Sequence, residues 1–235
     1  MNKREIQLID AIDFARDKDK TWTATAHCMV AEIIKVAKDH GLVGEGWALK
    51  ATKISTKGGA SRGGQSGINI KLGGKIEAAA LSEDARAKWY LQNAEWVGAN
   101  SPGRRAGAAA YRRAAAEGGH VFNEYKSIAA DPEIGYAVFE DPYGPVAALI
   151  AHEIAHAIDY TAGRQELEGR TYGPSGSGHG AKWQAIYRVL RRHYVNNGAY
   201  KAAPPPKREE AKVTPIRRLA PAFELTGLPL FDIAA

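Results

Sequence analysis

Val146-Ala-Ala-Leu-Ile-Ala-His152-Glu153-Ile-Ala-His156-Ala-Ile158 is apolar at every position but three. A run of that length and character predicts a helix buried on most of its surface. Asp141-Pro142 precedes it, an N-cap followed by a first-turn proline, and the helix is expected to reach about Tyr160. A spacing of four puts His152 and His156 on one face, one turn apart. Two neutral imidazoles so placed can chelate one Zn²⁺. Glu153 projects from the same turn, where it can take a proton from water acidified by the metal. A buried helix has little other reason to hold His, Glu and His together, because unpaired polar groups in an apolar interior are costly.

This is the His-Glu-x-x-His pattern of the zincins. A catalytic zinc needs a third protein ligand and an open position. The metzincin position, six residues after the second histidine, is Ala162, so that pattern is excluded. Glu166 and Glu168 lie in a polar stretch. His179 precedes Gly180 and a second amphipathic helix, Ala181 to Val195, with a stripe of Trp183, Ile186, Tyr187, Leu190 and Tyr194. His179 is the best-placed third ligand, with Glu166, Glu168 and His193 as alternatives. His27, His40 and His120 have no partner at ligand spacing, and Cys28 reads as a small core residue.

Outward from these helices the chain mixes helical and extended patterns, so the expected class is α+β. Residues 1–40 read as helical. Trp47–Ile54 and Ile68–Leu72 alternate around a glycine-rich loop and predict a long-looped hairpin. Helical patches cover Ser82–Ala94 and Arg105–Glu117, with short strands at Val121–Tyr125 and Tyr136–Phe139. Residues 161–179 read as loop. From Ala202-Ala-Pro-Pro-Pro206 onward the chain becomes rich in proline and charge, so residues 201–235 are expected to form a disordered tail behind one domain, 1–200.

With 235 residues, 45% hydrophobic and 25% charged, wholesale disorder, a coiled-coil rod and a polytopic membrane protein are excluded. The N-terminus carries no apolar signal segment. A single cysteine precludes an internal disulfide framework or a four-cysteine zinc ribbon, which fits a cytoplasmic setting. The net charge is +6, unevenly placed. Residues 42–75 hold Lys50, Lys53, Lys57, Arg62, Lys71 and Lys75 against Glu45 alone, and residues 180–193 hold Lys182, Arg188, Arg191 and Arg192 with no acid. Such patches suit a polyanion, of which nucleic acid is the commonest.

His152-Glu-Ile-Ala-His-Ala157, a loop, then His179-Gly-Ala-Lys-Trp183 resembles the SprT-like (spartan-type) metallopeptidase domain, most specifically over 146–194. The resemblance implies a zincin-like fold with a small antiparallel sheet packed on the His-Glu-x-x-His helix. It implies that His152, His156 and His179 bind zinc and that Glu153 is the catalytic acid/base of an endopeptidase. It also implies a role in DNA repair, on proteins bound or crosslinked to DNA. Residues 82–119 would be an insertion. Without the zinc ribbon of many bacterial members, DNA contact is expected from the basic hairpin (Lys50, Lys53, Lys57, Arg62) or from Arg188, Arg191 and Arg192.

Hydrolysis also needs a donor to the oxyanion, for which Tyr172, Tyr187 and Arg170 are candidates. Asp159 could hold a ligand histidine from behind or sit at the surface. Near the end, Gly227-Leu228-Pro229-Leu230-Phe231 resembles the short motif by which bacterial replication and repair proteins dock on the sliding clamp, with Leu228, Leu230 and Phe231 as anchors. Two other functions compete: a cytoplasmic peptidase cleaving a transcriptional repressor, and a zinc-stabilised DNA-binding adaptor without hydrolysis.

Overall fold

A computed structural model describes residues 3–202 apart from 99, 126 and 175–177, with side chains from 21 to 201. The chain runs through α1 (Lys3–Asp39), β1 (Thr52–Ser55), β2 (Arg62–Gly64), β3 (Gly67–Lys71) and α2 (Gly73–Ala80). Then come α3 (Glu83–Val97), α4 (Pro102–Glu117), β4 (His120–Phe122) and β5 (Ala137–Phe139). Next are α5 (Gly144–Thr161), β6 (Gln165–Leu167), β7 (Arg170–Tyr172) and α6 (Ala181–Leu190). A π-helical turn at Arg191–Val195 and a 3₁₀ turn at Ala199–Ala202 follow. The class is α+β, as expected.

The apolar run of α5 is the axis of the core. Ala147, Ile150, Ile154, Ala155 and Ile158 are fully covered. Helix α1 lays Trp22, Ala26, Met29, Ile33 and Ala37 against this core, a spacing of three and four that marks one helix face. Helix α6 contributes Trp183, Ile186, Tyr187 and Leu190, and β3 adds Ile68 and Ile70 from alternate positions. Each of the larger aliphatic side chains among them, once buried, stabilises by roughly 1.5–3 kcal/mol. Asp141 Oδ1 accepts the amides of Tyr143 and Gly144 at 2.8 and 3.1 Å and so holds the turn that leads into α5, but the N-cap itself is Tyr143 rather than Asp141. The helix starts two residues later than expected, with Pro145 rather than Pro142 in its first turn.

The largest sheet departs from the sequence expectation. Strands β1 and β3 pair in parallel, with Thr52 opposite Ile68 and Ser55 opposite Lys71. The antiparallel partner of β3 is β2, with Arg62 opposite Asn69, and the order is β1-β3-β2. The glycine-rich loop is long enough to reverse twice. Its own residues supply the middle strand in sequence, and glycines give no alternation by which to see it. Strand β2 packs along α5.

Helices α3 and α4 form a pair with a small core of its own: Tyr90, Ala94, Ala108, Tyr111 and Ala114 with Val121. Ser82 and Ser101 cap these helices by accepting the amides of Ala85 and Arg104. Strands β4 and β5 pair antiparallel, His120 opposite Phe139. The expected 161–179 loop contains a tight hairpin, β6–β7, whose turn residues Glu168 and Gly169 both have positive φ. Among the described residues, no helix is long and apolar enough to cross a membrane. The expected tail from residue 203 onward, with Leu228, Leu230 and Phe231, lies outside the described residues.

Candidate metal centre

Two separate elements must meet to form this site. His152 and His156 come from α5; His179 stands one residue before the Gly180 N-cap of α6. Lys182, in the first turn of α6, holds the two helices together. Its ammonium donates to the carbonyls of Asp159 (3.2 Å), Ala162 and Gly163 (2.8 Å), and lies 3.9 Å from Asp159 Oδ1. These carbonyls lie at and just beyond the end of α5, where a cation is favoured. Gln184 Nε2 then fixes the loop by donating to the His179 carbonyl at 2.9 Å.

The three Nε2 atoms converge: His152 to His156 at 3.2 Å, His156 to His179 at 3.3 Å and His179 to His152 at 3.1 Å. Lone pairs held this close repel one another unless a proton or cation lies among them. The edge of a tetrahedral face around an ion with metal–nitrogen bonds of ~2.0–2.1 Å is about 3.3 Å, so the donors fit a metal ion. Burial, then the neighbouring charges of His152 and His179, pushes His156 down to about 3. Burial followed by His152 also lowers His179. Both shifts favour the neutral imidazole, the form that binds a metal. Among the described residues, no other group of three His, Cys, Asp or Glu side chains comes together this way. The alternative third ligands go elsewhere: Glu168 pairs with Arg192, and His193 stacks on His40 at 3.8 Å. Glu166 is exposed on β6.

The histidines face an open cleft of about 590 Å³, whose wall includes Glu153, Arg62, Gly63, Lys75, Asn123 and Tyr125. Burial pushes the Glu153 carboxyl up to about 7; the His152 charge and the Gly63 amide oppose this, and the Glu124 charge adds to it. A bound cation would draw it back down. Lys75, over the Phe122 ring at 5.2 Å, is lowered by burial to about 8 against the pull of Glu124. Tyr125 stacks on His179 with ring centroids 4.4 Å apart.

Several sequence candidates are placed differently. Asp159 is buried against Lys182; the carboxylate beside a ligand histidine is instead Glu124, with Oε1 3.0 Å from His152 Nδ1. That contact is short enough for a hydrogen bond but off its ideal line. Nothing in the local sequence around Glu124 signals this, since it is a lone acid after a three-residue strand. Tyr187 is no oxyanion donor: its hydroxyl is buried and donates to Glu124 Oε2 at 2.8 Å. Arg170 and Tyr172 sit on β7 and are not in the cleft wall.

The second basic cluster is also not a free cationic face. Arg191 is 2% exposed, with Nε donating to Asn196 Oδ1 at 3.1 Å. Arg188 pairs with Asp131 at 2.6 Å and Glu133 at 3.5 Å. Arg192 pairs with Glu133 at 2.8 Å and Glu168 at 3.4 Å. Acids distant in sequence neutralise this patch. Lys50, Lys53, Lys57 and Arg62 are exposed, and Arg62 lines the cleft itself.

No protein-family model matches the chain, and no curated protein or solved structure matches it significantly.

Proposed function

We propose that the chain is a zinc-dependent, zincin-like endopeptidase of spartan type that acts in the cytoplasm on proteins bound or crosslinked to DNA. The observation that carries this reading is the convergence of three histidine Nε2 atoms beside Glu153 at the floor of an open cleft. Three neutral nitrogen donors with tetrahedral edge lengths suit zinc. Three ligands rather than four leave a position for reaction, which favours an enzyme over a structural adaptor. Zinc held there would supply Lewis acidity, polarising a carbonyl oxygen and acidifying water.

The chain's own residues then carry the proton. The Glu153 carboxylate accepts it from the attacking water and delivers it to the departing amine nitrogen. Burial and the Gly63 amide hold that carboxylate in place. Tyr125, Lys75, Arg62 and Asn123, which line the cleft where Tyr172, Tyr187 and Arg170 do not, are donors available to a developing oxyanion. The DNA part of the reading is supported by exposed Lys50, Lys53, Lys57 and Arg62, of which Arg62 lines the cleft, and by the motif resemblance over 146–194.

The test is cleavage of a DNA-crosslinked protein by the zinc-loaded chain, with and without single-stranded DNA, beside Glu153→Gln. Cleavage that needs both DNA and Glu153 supports the reading. A zinc-loaded chain that leaves the substrate intact under both conditions argues against it.

A further inference from the structure

Behind the three histidines lies a buried polar chain. Glu124 is 5% exposed. Its Oε1 faces His152 Nδ1 at 3.0 Å and accepts the Tyr125 amide at 2.7 Å. Its Oε2 accepts the Tyr187 hydroxyl at 2.8 Å. Arg191 NH1 donates in turn to the Tyr187 oxygen at 3.1 Å. A carboxylate and a guanidinium, each costly to bury alone, are thus bridged by one phenol in the core.

We infer that Glu124 is the positioning residue of the metal centre and that Tyr187 and Arg191 hold it there. An imidazole has two nitrogens, and which one carries the proton is set by the partner of the other. A carboxylate 3.0 Å from Nδ1 favours the tautomer that carries its hydrogen there, so the Nε2 lone pair of His152 is left for a metal ion. It also fixes the ring's rotation about the Cβ–Cγ bond, so that Nε2 keeps its place in the triangle with His156 and His179. Tyr187 cannot turn away, because it packs between Trp183, with ring centroids 4.7 Å apart, and His152, at 5.5 Å. The device joins three separate parts of the chain: the loop after β4, helix α5, and α6 with its π turn.

The inference rests on the zinc reading, and the experiment separates the two. Zinc affinity is measured by competition with a chromogenic chelator for the wild type, Glu124→Gln, Tyr187→Phe and the double variant. The Co²⁺ absorption spectrum of each is recorded alongside. Glu124→Gln should weaken zinc binding about 10–100-fold and alter the Co²⁺ spectrum. Tyr187→Phe should weaken it less, and the double variant should bind like Glu124→Gln alone, since Tyr187 acts through Glu124. Tight wild-type binding with Glu124→Gln unchanged overturns the inference while leaving the zinc reading intact. So does full additivity of the two substitutions. A wild type without zinc affinity removes both. If Glu124→Gln does not fold, Tyr187→Phe decides: unchanged affinity and spectrum overturn the relay.

Discussion

Gly63 rests directly on the backbone of Glu153: a Cβ added to Gly63 would lie 2.0 Å from the Glu153 carbonyl oxygen. No side chain fits there without moving β2 off α5. Gly63→Ala should therefore destabilise the protein by about 1–3 kcal/mol. It should also lower hydrolysis further than the lost stability explains, because the Gly63 amide supports the Glu153 carboxylate. Thermal melting and turnover of the folded fraction check this; an unaffected turnover would show that the contact is packing alone.

One metal ion per chain is expected, and it should stabilise the fold. At free zinc 100 times the dissociation constant, the gain is about 2.7 kcal/mol. His179→Ala, which removes one of the three donors, should abolish most of that gain while leaving the metal-free melting temperature nearly unchanged. Metal analysis with calorimetry tests both statements.

Lys182 carries two roles in one side chain, closing the end of α5 and seating the residue that precedes α6. Lys182→Met leaves the Asp159 carboxylate buried without its ammonium, a change that costs roughly 3–5 kcal/mol. Zinc affinity should fall with it, since His179 loses its anchor. Equal zinc binding in a destabilised Lys182→Met protein would separate the two roles.

A pH effect is expected far from the metal. Burial alone would raise the Asp131 carboxyl; the Arg188 guanidinium and the amides of Glu133 and Ile134 together outweigh it and hold it below its ordinary 3.8. A depressed folded-state value means stability present above the ordinary value and lost as pH falls through the lowered one. Asp131→Asn should cost about 1 kcal/mol at pH 7, and the gap to wild type should close in strong acid. Denaturation midpoints across pH 2–7 measure it.

If DNA stimulates cleavage, the stimulation should pass through the sheet face. Replacing Lys50, Lys53 and Lys57 by Gln should weaken DNA binding and lower its dependence on salt. Arg192→Gln should change neither, because its guanidinium is already matched by Glu133 and Glu168. Binding isotherms at two salt concentrations distinguish the surfaces.

The parts readable from sequence were those with short-range periodicity. The spacing of His152 and His156, the apolar run around them and the stripe of α6 each lie within a few helical turns. His179 was legible because it adjoins a helix start. What escaped depends on contacts between distant segments. Glu124 meets His152 only after β4 has packed on α5. Arg191 looked like a surface cation at a helix end, although its place four residues after Tyr187 put it on the buried stripe. The parallel pairing of β1 with β3 was hidden because β2 is largely glycine. The hairpin at 165–172 buries only Leu167, too little to leave a pattern.

His156 and His179 are 23 positions apart, yet their ring nitrogens nearly touch. A metal ion shared between them would act as a covalent-like cross-link, closing a loop that includes the β6–β7 hairpin. By the loop-entropy relation used for disulfides, a closure of this length stabilises by roughly 3 kcal/mol. With Cys28 as its single cysteine, the chain has no internal disulfide to do the same. The ion that confers reactivity would then also be the one staple in the domain. Removing the ion would then release that closure and lower stability by a similar amount, in addition to any loss of reactivity.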